Sequence, residues 1–152
     1  MLGLGLGRWC TCSNYIGEAI DHAAGLGFRS LLLVGHVGKL CKVAAGVMNT
    51  HSRVADGRRE TLCTHAALCG GDRAMVGALY RTVTTDDAVA ILDGAGLREA
   101  VMASLTQALD EQLKRRAGAE MAIEAIFFSN RYGILGKTAG ADRLAAFHPI
   151  SS

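Results

Sequence analysis

The chain has a single proline among its 152 residues and no apolar run approaching the roughly 20 residues that a membrane-spanning helix requires. Even Leu31 to Val34 is closed off by Gly35 and His36, so a soluble protein without a membrane partner is expected. Met1 to Gly7 is short and lacks the basic start of a secretory signal, which leaves export unsupported. Bulk charge is also missing: the formal net charge is +2 and a fifth of the residues are charged, which excludes polybasic and disordered classes and argues against a nucleic-acid partner. There is no internal repeat, linker or low-complexity segment. The length is that of one domain able to hold a core without disulfide staples. Five cysteines, an odd number with no export signal, read as reduced thiols in the cytoplasm.

What the chain has in quantity is glycine, 19 residues, and apolar side chains, half of the total. Glycine is abundant where backbone turns with positive φ or approaches a neighbour closely, which favours a glycine-punctuated α/β chain. Leu6 to Thr11 is a strand candidate that runs into Cys12-Ser13-Asn14, and Ser13 or Asn14 is expected to cap a helix carrying Ile16, Ala19, Ile20 and Ala23. Ser30 to Val34 is a continuous apolar run, the mark of a central parallel strand buried on both faces. Leu40, Val43, Ala44, Val47 and Met48 keep the spacing of an amphipathic helix ending near Asn49, with Lys39 and Lys42 off the stripe. Two helices follow, one with Leu62, Ala66 and Cys69, the other with Met75, Leu79 and Tyr80. Thr85 is expected to cap a helix ahead of Asp86 and Asp87, and a long helix from Leu97 to Leu113 ends in Lys114-Arg115-Arg116, the charge favoured at a helix carboxy-terminus. Met121 to Phe128 is the last strong strand. It leads to Ser129-Asn130-Arg131 and a glycine-rich loop from Gly136 to Gly140.

Alternating strands and helices predict a Rossmann-like, mostly parallel sheet with helices on both faces. In such sheets ligands bind beyond the carboxyl ends of the strands, which directs attention to Cys12-Ser13-Asn14, Gly35-His36-Val37-Gly38 and Ser129-Asn130-Arg131. Gly3, Gly5 and Gly7 follow no strand, so they do not form a dinucleotide fingerprint, and an NAD-linked oxidoreductase is disfavoured. Gly35 and Gly38 are too close for a phosphate loop, and Leu40 stands where a magnesium-binding Ser or Thr belongs. Cys63 and His65 lie about 200° apart on a helix, so they do not point at one ion, and no metal is expected. His36 and His51 are within reach of one crevice, where imidazole serves proton transfer or hydrogen bonding, or else a structural bond. Arg53, Arg58 and Arg59 follow His51, and arginine grips carboxylates bidentately.

The segments Cys12 to Glu18, Leu32 to Leu40 and Ala44 to Ser52, together with Phe128 to Gly133 and Gly136 to Ala141, resemble the signatures of the CbiD-type cobalt-precorrin-5B C1-methyltransferases. The resemblance runs in order from about Cys12 to Leu144. It implies transfer of a methyl group from S-adenosylmethionine to a cobalt-bearing tetrapyrrole, and it implies an amino-terminal domain and opening sheet strands that this chain lacks, so a carboxy-terminal part of a longer protein is expected. On that reading His36 and His51 are catalytic, while Ser13, Asn14, Gly35, Gly38, Asn49, Thr50, Ser129 and Asn130 hold the methyl donor. Lys39, Arg53, Arg58 and Arg131 meet the carboxylates of the ring. A noncatalytic nucleotide-binding module is the competing reading. His36, Asn49, His51 and Asn130 are expected to border one crevice.

Overall fold

The two continuous apolar runs pair in parallel in the structure, a computed structural model that describes residues 10–147. Strand β1 spans Ser30–His36 and β2 spans Ala122–Ser129, in register from Ser30 opposite Ala122 to His36 opposite Phe128. This pairing brings Gly35–His36 and Ser129 to one edge of the sheet, as the βα alternation predicts. A third strand, β3 (Gly133–Lys137), returns antiparallel along β2 and gives the order β1-β2-β3. Part of β3 had the composition of a glycine-rich loop. Gly133 turns the chain at φ 70°, and Gly136 lies opposite Phe127, where any Cβ would collide with the Phe127 ring and Thr106. Glycine is therefore required there by close approach of a strand to a buried ring.

The sheet among the described residues is thus three-stranded and mixed. The expected strand at Leu6 to Thr11 falls mostly outside the described residues, as does the glycine pattern at Gly3 to Gly7, and Cys10 and Thr11 are not in a strand. β1 also departs from expectation, being an edge strand of half-buried residues and not a central one. Leu31 and Leu33 pack on the core, whereas Leu32 and Val34 alternate to the other face, so its apolar run serves two faces but has strand partners on one side.

Among the described residues the helices are α1 (Ile16–Gly25), α2 (Val37–Ala44), α3 (Arg58–Leu68), α4 (Arg73–Tyr80), α5 (Thr85–Gly94), α6 (Arg98–Ala117) and α7 (Ala141–Ala146). α2 stops well before Met48, because Gly46 takes φ 84°. Thr84 caps α5, one residue earlier than the spacing predicts, by accepting from the Asp87 N–H. α6 lays Val101, Leu105, Leu109 and Leu113 along one side, and these fully buried residues join Ile123, Ala125 and Phe127 of β2 in the main core. Each such leucine contributes about 1.5–3 kcal/mol over its exposed state. Glu124 and Ile126 alternate to the opposite face, where α7 packs on β1 and β2. No helix of the described residues is long and apolar enough to cross a membrane.

Candidate functional site

The carboxyl edge of the β1–β2 pair is built from two helix starts and one hairpin. His36 ends β1 and caps α2, its Nδ1 accepting from the Gly38 N–H at 3.1 Å. An accepting Nδ1 places the proton of the neutral ring on Nε2, so this residue offers an N–H donor outward. The ring stands edge-on to Phe128, with centroids 5.9 Å apart. A Cβ on Gly38 would come within 3.3 Å of Thr85 Oγ1, and one on Gly35 within 3.3 Å of Leu40. The small residues at this turn therefore let α2 fold over its own strand and let the start of α5 abut the start of α2. Asp86, in the first turn of α5, accepts from Ser129 Oγ at 2.7 Å, and the same hydroxyl oxygen accepts from the N–H groups of Arg131 and Tyr132 at 3.0 and 3.2 Å. Ser129 is 2 % exposed and its hydroxyl is fully used in shaping the hairpin. Asn130 is exposed beyond it. The Arg131 and Arg98 guanidinium groups lie 5.2 and 5.7 Å from the centre of the Tyr132 ring.

A second polar group forms where residues 13–17 run beside residues 48–50. Ser13 takes a left-handed φ of 51°, and its carbonyl accepts from Lys39 Nζ at 3.2 Å. Asn14 Oδ1 accepts from the Thr50 hydroxyl at 3.1 Å, while Thr50 N–H donates to the Asn14 carbonyl at 2.9 Å. The expected side-chain cap on α1 is thereby overturned: Tyr15 is the cap residue and makes no such bond, because the oxygen of Asn14 is held by a partner 36 residues away. Asn49 Oδ1 accepts from the His51 N–H, and His51 Nδ1 accepts from the Arg53 N–H, both at 3.1 Å. His51 therefore presents Nε2–H just as His36 does. His51 and Arg53 are exposed, whereas Arg58 donates twice to Asp56, at 2.9 and 3.0 Å. That pairing lowers the Asp56 carboxyl to about 2 and raises Arg58.

These two groups meet at the start of α2, where His36 is the cap residue and Lys39 lies in the first turn. No bond among the described residues joins the His51 loop to Asn130, so the crevice expected between them is not closed by direct contact. The glycine-rich loop belongs elsewhere. The Glu124 carboxylate accepts from the Thr138 hydroxyl and from the Gly140 N–H at 3.0 Å, so the protein's own anion fills the turn before α7. An open groove of about 720 Å³ between α3 and α4, lined by Cys63, Tyr80 and Arg81, and another of about 490 Å³ between α6 and β3 also lie away from the strand ends. Cys63 donates to the Val76 carbonyl and His65 bonds Ser104 across 2.7 Å. Asp86 is the residue that sequence reasoning took only as a helix-start charge. Its value as an anchor for Ser129 follows from contact across 43 residues.

Fold and edge chemistry together define an α/β domain whose hydrogen-bonding groups gather at the carboxyl end of a parallel strand pair. The chain belongs to the CbiD family, whose model, described as "CbiD, C-terminal domain", matches residues 49–139. It is 44 % identical over 128 residues to the cobalt-precorrin-5B C(1)-methyltransferase of Ruminiclostridium cellulolyticum, covering 84 % of this chain and 33 % of that protein. The protein of the same name from Tolumonas auensis is 40 % identical over 121 residues, 78 % of this chain and 32 % of its own length. That of Gloeobacter violaceus is 36 % identical over 149 residues, 95 % of this chain and 41 % of its own. The chain thus spans about a third of the length of the curated relatives it matches. No solved structure matches it.

Proposed function

We propose that this chain takes part in S-adenosylmethionine-dependent methylation of cobalt-precorrin-5B at C1, giving cobalt-precorrin-6A in anaerobic cobalamin biosynthesis, together with the further length that its relatives possess. Family membership and the names of those relatives support the reaction. The observation that carries the site is the parallel register that sets His36 and Ser129 at one edge beside the starts of α2 and α5.

The edge suits a methyl donor with an amino-acid tail and a ribose: His36 Nε2–H donates, Asn130 both donates and accepts, and Asp86 is a nearby carboxylate. S-adenosylmethionine supplies an electrophilic methyl on a sulfonium, and the C–S bond breaks as the ring carbon forms the new C–C bond, leaving a neutral thioether. Little acid catalysis is then required, and holding the two partners in line is the main contribution. His36 and His51 act in this scheme as oriented N–H donors, since each Nδ1 is engaged with a backbone N–H. Asn14, Asn49 and Thr50 shape the wall around them. Lys39, Arg53 and Arg131 grip carboxylates of the macrocycle, while Arg58, committed to Asp56, acts through the loop it closes.

The finer fold reading is a Rossmann-like sheet that continues past β1, whose outer edge has no strand partner among the described residues. The place of reaction is the cytoplasm, in keeping with cysteines that are all free. The test measures conversion of cobalt-precorrin-5B and melting temperature for His51→Ala and Asn130→Ala. A large loss of turnover without matching loss of stability is expected, and unchanged turnover removes these residues from the site.

A further inference from the structure

Lys42 lies in the last turn of α2, off the apolar stripe where an exposed side chain is predicted, yet it is only 3 % exposed. Its ammonium donates to the carbonyl oxygens of Thr50 at 3.0 Å and Ala55 at 3.2 Å, and it stands 3.6 Å from the Asp56 carboxylate. All three acceptors come from the stretch 50–56, whose start is also tied to Asn14 by the Thr50 N–H and hydroxyl and whose Asp56 is paired with Arg58, while between them Val54 and Ala55 N–H donate to the His51 carbonyl and Arg53 N–H donates to His51 Nδ1. The turns define local shape, Asn14 holds Thr50 and Arg58 of α3 holds Asp56. Lys42 is what attaches the stretch to α2.

Burying an ammonium is unfavourable unless its protons are partnered, and an aliphatic residue beside the fully buried Cys41 and Val43 would fill the space without that desolvation. What only the ammonium accomplishes is to hold two carbonyls five residues apart against α2. His51 and Arg53 lie between those two anchor points, with both side chains exposed. The ion pair is secondary, since Asp56 is closer to Arg58, at 2.9 Å, than to Lys42.

We propose that Lys42 is a positioning residue: a buried cation that clamps the stretch 50–56 through Thr50 and Ala55, and thereby fixes where His51 and Arg53 meet the carboxylates of the substrate. The second half of this inference rests on the methyltransferase reading, whereas the clamp itself does not. It separates the roles of two neighbouring lysines, Lys39 at the open side of α2 and Lys42 beneath the loop.

The clamp is tested by backbone hydrogen exchange on the full chain carrying Lys42→Met, Lys42→Arg or Asp56→Asn. In Lys42→Met the amides of Val54 and Ala55 are expected to exchange at least about tenfold faster while β2 and the Asn14-bonded amide of Thr50 are unchanged, a local opening by definition. Lys42→Arg, which keeps a cationic donor, and Asp56→Asn, which keeps the carbonyl bonds, should hold those amides within about twofold of the original. Unchanged loop protection in Lys42→Met, equal loss in Asp56→Asn, or loss reaching β2 overturns the clamp. In the complete enzyme, methyl transfer by Lys42→Met should show kcat/KM for cobalt-precorrin-5B lowered about tenfold or more, with Lys42→Arg restoring it. An unchanged kcat/KM overturns the positioning role. Absence of methyl transfer by the unsubstituted enzyme overturns the methyltransferase reading, and exchange still decides the clamp.

Discussion

Asp56 and His65 show how single side chains set the acid response of this domain. The Arg58 hydrogen bonds hold the Asp56 carboxyl at about 2, below its ordinary value of 3.8. A carboxyl depressed on folding stabilises the native state at pH above its ordinary value, and that contribution is lost as pH falls through about 2. Nuclear magnetic resonance titration should place the Asp56 midpoint near 2, and Arg58→Ala should return it towards the ordinary range. Burial lowers His65 below its ordinary 6.5. The unfolded chain then binds the proton more readily, so stability is complete above about 6.5 and declines as pH drops below it. Denaturant midpoints at pH 7.5 and 5.5 should differ in the native chain, and the difference should shrink in His65→Leu. Cys41, pushed up to about 12 by burial, is a packing residue and not a nucleophile.

The elements that frame the candidate site are fastened by contacts local enough to remove singly. Thr84 accepts from the Asp87 N–H at 3.1 Å and donates to the Asp87 carboxylate at 2.6 Å, closing the first turn of α5 and setting Asp86 against Ser129. Thr84→Ala should cost about 1 kcal/mol, read from the denaturant midpoint. Gly136→Ala acts on the other flank. Its Cβ would strike Phe127 and Thr106, and overpacking of this kind costs about 1–3 kcal/mol. Its melting temperature should fall by several degrees. A variant as stable as the original would mean that β3 shifts away from α6.

At the scale of the whole molecule, the outer edge of β1, which has no strand partner among the described residues, is accompanied by exposed Leu26 and Phe28 just ahead of it, at 64 % and 56 %. An open edge beside apolar side chains invites pairing with another chain. The chain alone should associate with rising concentration in sedimentation velocity, and Phe28→Lys should suppress this without lowering the melting temperature. The strands β1 and β2 and the helix positions of α3 and α4 were legible in the sequence because each follows from periodicity or turn chemistry within about ten residues, and the parallel pairing followed from βα alternation. The family too was legible, in ordered segments between Cys12 and Ala141. Burial of Lys42, diversion of Asn14 from the α1 cap to Thr50, occupation of the glycine-rich turn by Glu124 and the return of β3 along β2 were not. Each depends on an acceptor, a ring or a strand brought near by folding from elsewhere in the chain, so local pattern determined which elements form and tertiary contact decided which of their polar groups are spent within the protein and which remain for a ligand.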